Sequence, residues 1–269
     1  MKIIQFIIPI IAGLLLVTQI GCSKQDNHIP KQTFVLVHGA WQGTYVWQFI
    51  RDELEKKGQK VIVVELPAHG NDTTSAANVS IDSYRDKVIA AINAANTKVI
   101  LVGHSLGGMV VSAVAESIPE KIEKLVYIAA FVPVSGQRLI DLASQDAQSQ
   151  LGPSLIPSAN QLTLDIIPAN RIPVFCQDGS ATIKQLLLDK FRVEPAIPFS
   201  IPVTLTSAAF GKVNKYYIHT TADQAIGINL QKHMASAAGI SKVYSLNSGH
   251  SPFLSMPDSL SNILMTIIK

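Results

Sequence analysis

The chain has 269 residues, 48% of them hydrophobic, which is enough for one large domain with a sizeable core. Its 22 Lys and Arg against 19 Asp and Glu leave a formal charge of +3, spread along the sequence, which argues against a nucleic-acid surface built on clustered basic charge. No internal repeat, low-complexity tract or heptad pattern is present, and the Cys, His, Asp and Glu residues show no metal-ligand spacing.

In chain order, Lys2 precedes the apolar run IIQFIIPIIAGLLLVTQI and then Gly21-Cys22-Ser23-Lys24. A basic start, an apolar middle and a small residue at the end describe a secretory signal peptide over residues 1–21. The cysteine directly after Gly21 gives it the form of a bacterial lipoprotein signal, in which Cys22 is lipidated and becomes the mature N-terminus. Ordinary secretion or a periplasmic location, and an uncleaved membrane anchor, stay open as alternatives. The run is near the ~20 residues a spanning helix needs, but Pro9 and Gln19 interrupt it. Residues 22–32 are polar and read as a tether. Lipidation of Cys22 would leave Cys176 without a partner, so no disulfide framework is implied and Cys176 reads as a buried packing residue.

From residue 33 to 269 short apolar runs alternate with amphipathic stretches. Residues 33–38, TFVLVH, read as a central strand. Residues 45–57 have helical spacing with Trp47, Ile50 and Leu54 on one face, and Gly58 closes the helix. A strand follows over 60–66. Ser80 caps a helix running to Ala95, with Asp82 in its first turn. Then come a strand over 98–102, a helix over 106–117 and a strand over 122–129. The alternation implies a parallel sheet covered by helices on both faces. It breaks over 131–211, a proline-rich segment with few clean strands and short helical pieces such as 181–191. This reads as an insertion forming a lid over the sheet's C-terminal edge. The pattern resumes with a strand over 213–219, a helix over 225–237, a strand over 242–246 and a helix over 258–268.

In an open parallel sheet chemistry sits beyond the carboxyl ends of the strands. At one such end lies Gly103-His104-Ser105-Leu106-Gly107, a serine flanked by glycines between a strand and a helix. This is a nucleophile elbow, with the helix aiming backbone N–H groups at the site. A serine hydroxyl needs a base, and the base needs a carboxylate. His250, in LNSGHSPF, and Asp223, in HTTADQAI, each follow a predicted strand and so share one rim with Ser105. Taken singly, Ser105 could be a turn residue, Asp223 a helix N-cap and His250 a surface loop residue. Together they stand in the order Ser, Asp, His. The backbone N–H groups of Ala40 and Leu106 are the natural oxyanion donors. His38, His69 and His104 are read as structural.

The stretches FVLVHGAWQGTYVW, VVELPAHGND, LVGHSLGG, YIAAFVP, YYIHTTADQAI and SGHSPFLSMP resemble one subgroup of the α/β-hydrolase fold family. That subgroup contains plant methyl esterases, hydroxynitrile lyases and related bacterial carboxylesterases. The resemblance runs from about residue 33 to 269 and is weak across 131–211. It implies the α/β-hydrolase fold with a cap, Ser105 as nucleophile, His250 as base, Asp223 as its partner, and Ala40 and Leu106 as oxyanion donors. It implies no metal and no organic cofactor, and a small-molecule ester as substrate. The lyases of this subgroup carry threonine after the first-strand histidine and lysine after the catalytic histidine. Gly39 and Ser251 stand at those places here, which favours ester hydrolysis. A non-catalytic binding lipoprotein on the same fold is the competing class. Oligomeric state is not set by the sequence.

Overall fold

The computed structural model describes residues 1–2 and 30–269. Cys22, residues 3–21 of the expected signal segment and the tether up to residue 29 lie outside the described residues.

The chain enters the domain through β1 (Thr33–Val37), buried at every position. A tight turn over Thr44–Trp47 leads into α1 (Gln48–Lys56), so the helix expected from residue 45 begins as a 3-10 turn. Ile50 and Leu54, four residues apart, form its buried stripe. Next come β2 (Lys60–Val64) and α2 (Ile81–Ala95). Ser80 and Ser83 close a capping box in which each hydroxyl accepts the other's backbone N–H, at 3.2 and 2.9 Å. β3 (Val99–His104), α3 (Gly107–Ser117) and β4 (Ile122–Ile128) follow.

Between β4 and the next core strand the chain leaves the sheet. This insertion carries α4 (Leu139–Ala143), β5 (Leu155–Pro157), β6 (Thr163–Ile166), α5 (Arg171–Phe175), α6 (Ala181–Lys190) and β7 (Glu194–Pro195). β5, β6 and β7 form a three-stranded antiparallel sheet. The expectation of few clean strands missed it because the strands have 3, 4 and 2 residues and two of them contain proline. An antiparallel bridge between Gln137 and Val203 ties the base of this cap together.

The core resumes with β8 (Lys215–Thr220), α7 (Ile228–Ala237), β9 (Lys242–Leu246), α8 (Pro252–Ser255) and α9 (Pro257–Ile267). The helix expected from residue 225 starts later, because Asp146 accepts the Gly227 N–H at 2.6 Å and Asp223 accepts those of Ala225 and Ile226. The main sheet has the order β2-β1-β3-β4-β8-β9, parallel throughout. The connections β1-α1-β2 and β2-α2-β3 run in opposite directions across it, and right-handed crossovers then put α1 and α2 on opposite faces. α9 packs on α1 and α3 on α2, completing the two helical layers. No helix among the described residues is long and apolar enough to cross a membrane.

Candidate active site

Ser105 sits between the end of β3 and the start of α3 with φ of 52°, a left-handed conformation that costs a non-glycine residue about 1–2 kcal/mol. The flanking glycines let the turn be made. A Cβ on Gly103 would lie 2.7 Å from Val111 Cγ2, and one on Gly107 would lie 2.7 Å from the His38 carbonyl oxygen. Without those methyl groups α3 packs directly across the strand ends, and the packing holds Ser105 in its strained turn.

The expected histidine and carboxylate meet: His250 Nδ1 and Asp223 Oδ2 are 2.9 Å apart, both side chains buried. Asp223 Oδ2 also accepts from Thr220 Oγ1 at 2.8 Å and from Gln231 Nε2 at 3.2 Å. Its Oδ1 accepts the Ala225 and Ile226 N–H groups at 2.7 and 2.9 Å. Asp223 is not the N-cap of the following helix, which is Gly227; its Oδ1 holds the turn before that helix while its Oδ2 faces His250. A carboxylate held by this many donors is fixed in place and orients the ring. His250 Nε2 is buried and has no hydrogen-bond partner, so no bond joins it to Ser105 in this geometry. The His104 ring, one residue from Ser105, donates its Nε2–H to the His250 carbonyl at 2.9 Å and ties the two segments together. Burial holds His104 well below the ordinary histidine range, so it is neutral.

The turn after β1 lies against the elbow. A Cβ on Gly39 would fall 2.7 Å from Ser105 Cβ and 2.8 Å from His104 Nδ1. Ala40 is buried beside it, and neither its N–H nor that of Leu106 donates to a backbone acceptor among the described residues. His38 is structural, as expected: its Nε2 accepts the Leu66 N–H at 3.1 Å, and burial pushes its pKa down.

The cap completes the site. A cavity of about 520 Å³ is lined by Trp41 and Phe131 from the core and by Leu139, Leu151, Leu164 and Phe199 from the cap. It abuts the elbow, since the Phe131 N–H donates to the Ser105 carbonyl at 3.1 Å. The ring of Phe175 stands 5.8 Å from that of His250. Cys176 is buried and its thiol is pushed up to about 12, chiefly by burial, which leaves it inert. Sequence reasoning did not find Thr220, Gln231 or Glu194. Gln231 lay in a predicted helix but in no motif, and Glu194 sits in the cap, where the sequence pattern is least regular. Among the described residues no cluster of three or more His, Cys, Asp or Glu could hold a metal ion.

A parallel sheet with a strained serine elbow, a histidine–aspartate pair at the same rim and a cap over them is the architecture of an α/β hydrolase. Residues 34–262 match the model of the alpha/beta hydrolase family, and the chain belongs to that family. It is 30% identical over 261 residues to putative methylesterase 11, chloroplastic, of Arabidopsis thaliana, covering 91% of this chain and 65% of that protein. It is 27% identical to an alpha-hydroxynitrile lyase of the same plant, covering 88% and 97%. The chain spans 65% and 55% of the length of putative methylesterases 11 and 13. Among solved structures, an extracellular alpha/beta-hydrolase from a Paenibacillus species superposes with a TM-score of 0.76 at 26% identity, covering 87% of this chain and 98% of that one. Polyneuridine aldehyde esterase superposes with a TM-score of 0.80 at 22% identity, covering 89% and 100%, which supports the fold.

Proposed function

We propose that the protein hydrolyses small to medium, uncharged carboxylic esters through an acyl-Ser105 intermediate. The observation that carries this reading is the buried 2.9 Å contact between His250 and Asp223 at the rim where Ser105 is held on its elbow. Ser105 Oγ attacks the ester carbonyl while His250 Nε2 takes its proton. The Asp223 carboxylate stabilises the imidazolium and fixes the tautomer. The Ala40 and Leu106 N–H groups receive the oxyanion, where charge grows only in the transition state. His250 returns the proton to the departing alkoxide. Water, activated by the same ring, then attacks the acyl carbon and releases the carboxylic acid and free Ser105. The chemistry uses no metal or organic cofactor.

The cavity supports the substrate class. Its one ionisable lining residue, Asp146, spends Oδ2 on the Gly227 N–H and Oδ1 on the Gln148 N–H, at 2.6 and 3.0 Å. The rest of the lining is neutral and mostly apolar and no cationic side chain faces the space, so an apolar, neutral ester fits and an anionic one is disfavoured. The methylesterase names among the relatives agree with an ester substrate. Cyanohydrin cleavage lacks support: a threonine side chain has no room at Gly39, and Ser251, in place of a lysine, accepts from Gln42 Nε2 at 3.2 Å. Export and lipid anchoring at Cys22, with a domain over 33–269, complete the reading.

Treatment with a fluorophosphonate followed by peptide mass spectrometry tests it, with labelling expected at Ser105. Ser105→Ala is expected to keep the fold and to lower turnover of an activated aryl ester by roughly 10³-fold or more. Labelling elsewhere, or full activity in the alanine variant, sinks the reading.

A further inference from the structure

Glu194 comes from β7 of the cap and is completely buried, as is His69 of the core loop after β2. Their contact, Nε2 to Oε2, measures 2.7 Å. The other ring nitrogen, Nδ1, faces the Pro67 carbonyl oxygen at 3.0 Å. With Glu194 as a carboxylate both ring nitrogens face acceptors, and each then carries a proton. Glu194 Oε2 also accepts the Trp41 N–H at 2.7 Å. A donor already on that oxygen favours its accepting from His69 as well, with the shared proton resting on the ring. Trp41 directly follows Ala40 and has a φ of 59°, a conformation a bulky residue keeps only when its surroundings hold it.

We infer that Glu194 and His69 form a buried clamp through which the cap positions the oxyanion turn. The His69 imidazolium holds the Glu194 carboxylate, the carboxylate fixes the Trp41 N–H, and the orientation of the neighbouring Ala40 N–H follows. Both are positioning residues, and the inference rests on the acyl-serine reading above.

The other titratable or charged groups around His69 are His38 with its ring 4.8 Å away, Tyr84 on α2 with its ring 5.6 Å away, and Glu65 beside His38. Asp72 lies in the same loop, accepting the Ala68 N–H, and Arg192 of the cap donates to the Gly70 carbonyl. Burial opposes a charge on His69, and the Glu194 carboxylate outweighs it, so the ring is held above the ordinary histidine range. The sign follows: the clamp is intact below that raised value and is lost as pH rises through it.

The test compares the full-length wild type with Glu194→Gln and with Glu194→Gln/His69→Gln, using a small activated aryl ester. Glutamine at 194 keeps the size and one acceptor but removes the charge, so His69 loses its proton at lower pH. At pH 7, kcat of Glu194→Gln is expected to fall about 10-fold or more below wild type, with KM changed by less than about 3-fold, because the oxyanion forms only in the transition state. At pH 6 the gap narrows. The double variant has no titrating group in the clamp, so its kcat relative to wild type no longer follows that pH-dependent gap. A nitrogen-resolved NMR spectrum of wild-type His69 at pH 7 is expected to show both ring nitrogens protonated, a result that does not depend on any variant folding. One unprotonated ring nitrogen overturns the clamp. So do a Glu194→Gln kcat equal to wild type at both pH values and a gap with unchanged pH dependence in the double variant, and with Ser105 still labelled these leave the acyl-serine reading standing. A wild type that is not labelled at Ser105 overturns that reading and the clamp with it.

Discussion

Asp223 carries a buried negative charge, and the residues that make this tolerable are as specific as the charge itself. Gln231 on α7 donates to Asp223 Oδ2 at 3.2 Å, to the Ile226 carbonyl at 2.7 Å and to the Thr220 carbonyl at 3.1 Å. Its Oε1 accepts the Thr220 N–H at 3.0 Å. One buried amide thus satisfies the end of β8 and adds a third donor to Asp223 Oδ2. Gln231→Leu fills the space but takes their partner from the Thr220 N–H and the Ile226 carbonyl. Each unmet buried group costs about 1–3 kcal/mol, so the two together are expected to cost about 2–6 kcal/mol of stability, read as a lower urea midpoint. Turnover is expected to fall as well, since the carboxylate no longer holds His250 in one orientation. An unchanged midpoint would mean that water replaces the amide. Ser105, His250 and Asp223 stand out as candidates in the sequence because each stands beside a turn at a strand end. Gln231 and Glu194 do not, because their partners are brought together only by the fold.

At the scale of elements, the core and the cap follow different rules. The strands of the main sheet are apolar runs of five to seven residues separated by amphipathic helices, and such runs announce themselves in the sequence. The cap is built from strands of 3, 4 and 2 residues and from helices of 5, 5 and 10, too short for a period to be read. What the cap supplies is shape: an apolar wall facing Trp41 and Phe131 across about 520 Å³. Leu139, at the start of α4, is buried in that wall. Leu139→Trp adds an aromatic ring to the cavity without touching the rim. The expected result is a change of acyl preference: kcat/KM for long-chain esters falls by about 10-fold or more, while acetate esters stay within about 3-fold. Equal losses for every chain length would show that the cavity is not where the acyl group lies, and would move the substrate to another face of the cap.

At the scale of the whole molecule, the folded domain has a defined first residue. The Gln32 N–H donates to Gln59 Oε1 at 2.8 Å, and the Gln32 carbonyl accepts the Lys60 N–H at 2.9 Å, so the sheet is engaged from this residue onward. Pro30 and Lys31 just before it are exposed. A chain beginning at Lys31 therefore keeps every contact of the site and cap among the described residues and is expected to retain the wild-type melting temperature and esterase kcat/KM. A chain beginning at Phe34 loses both Gln32 bonds and the buried Thr33 and is expected to be less stable. This separates the catalytic domain from whatever places it in the cell. If Cys22 carries the lipid, the several acyl chains of a lipoprotein anchor the protein stably where one chain would hold only marginally. The domain then needs no membrane-binding face of its own. Cys22→Ala is expected to move the protein out of the membrane fraction, or to leave it unprocessed, with unchanged kcat/KM in detergent extracts. Native protein found soluble with an unmodified N-terminus would replace the lipid anchor with ordinary secretion. It would leave the chemistry at Ser105 untouched, because among the described residues none of that site lies before Gln32.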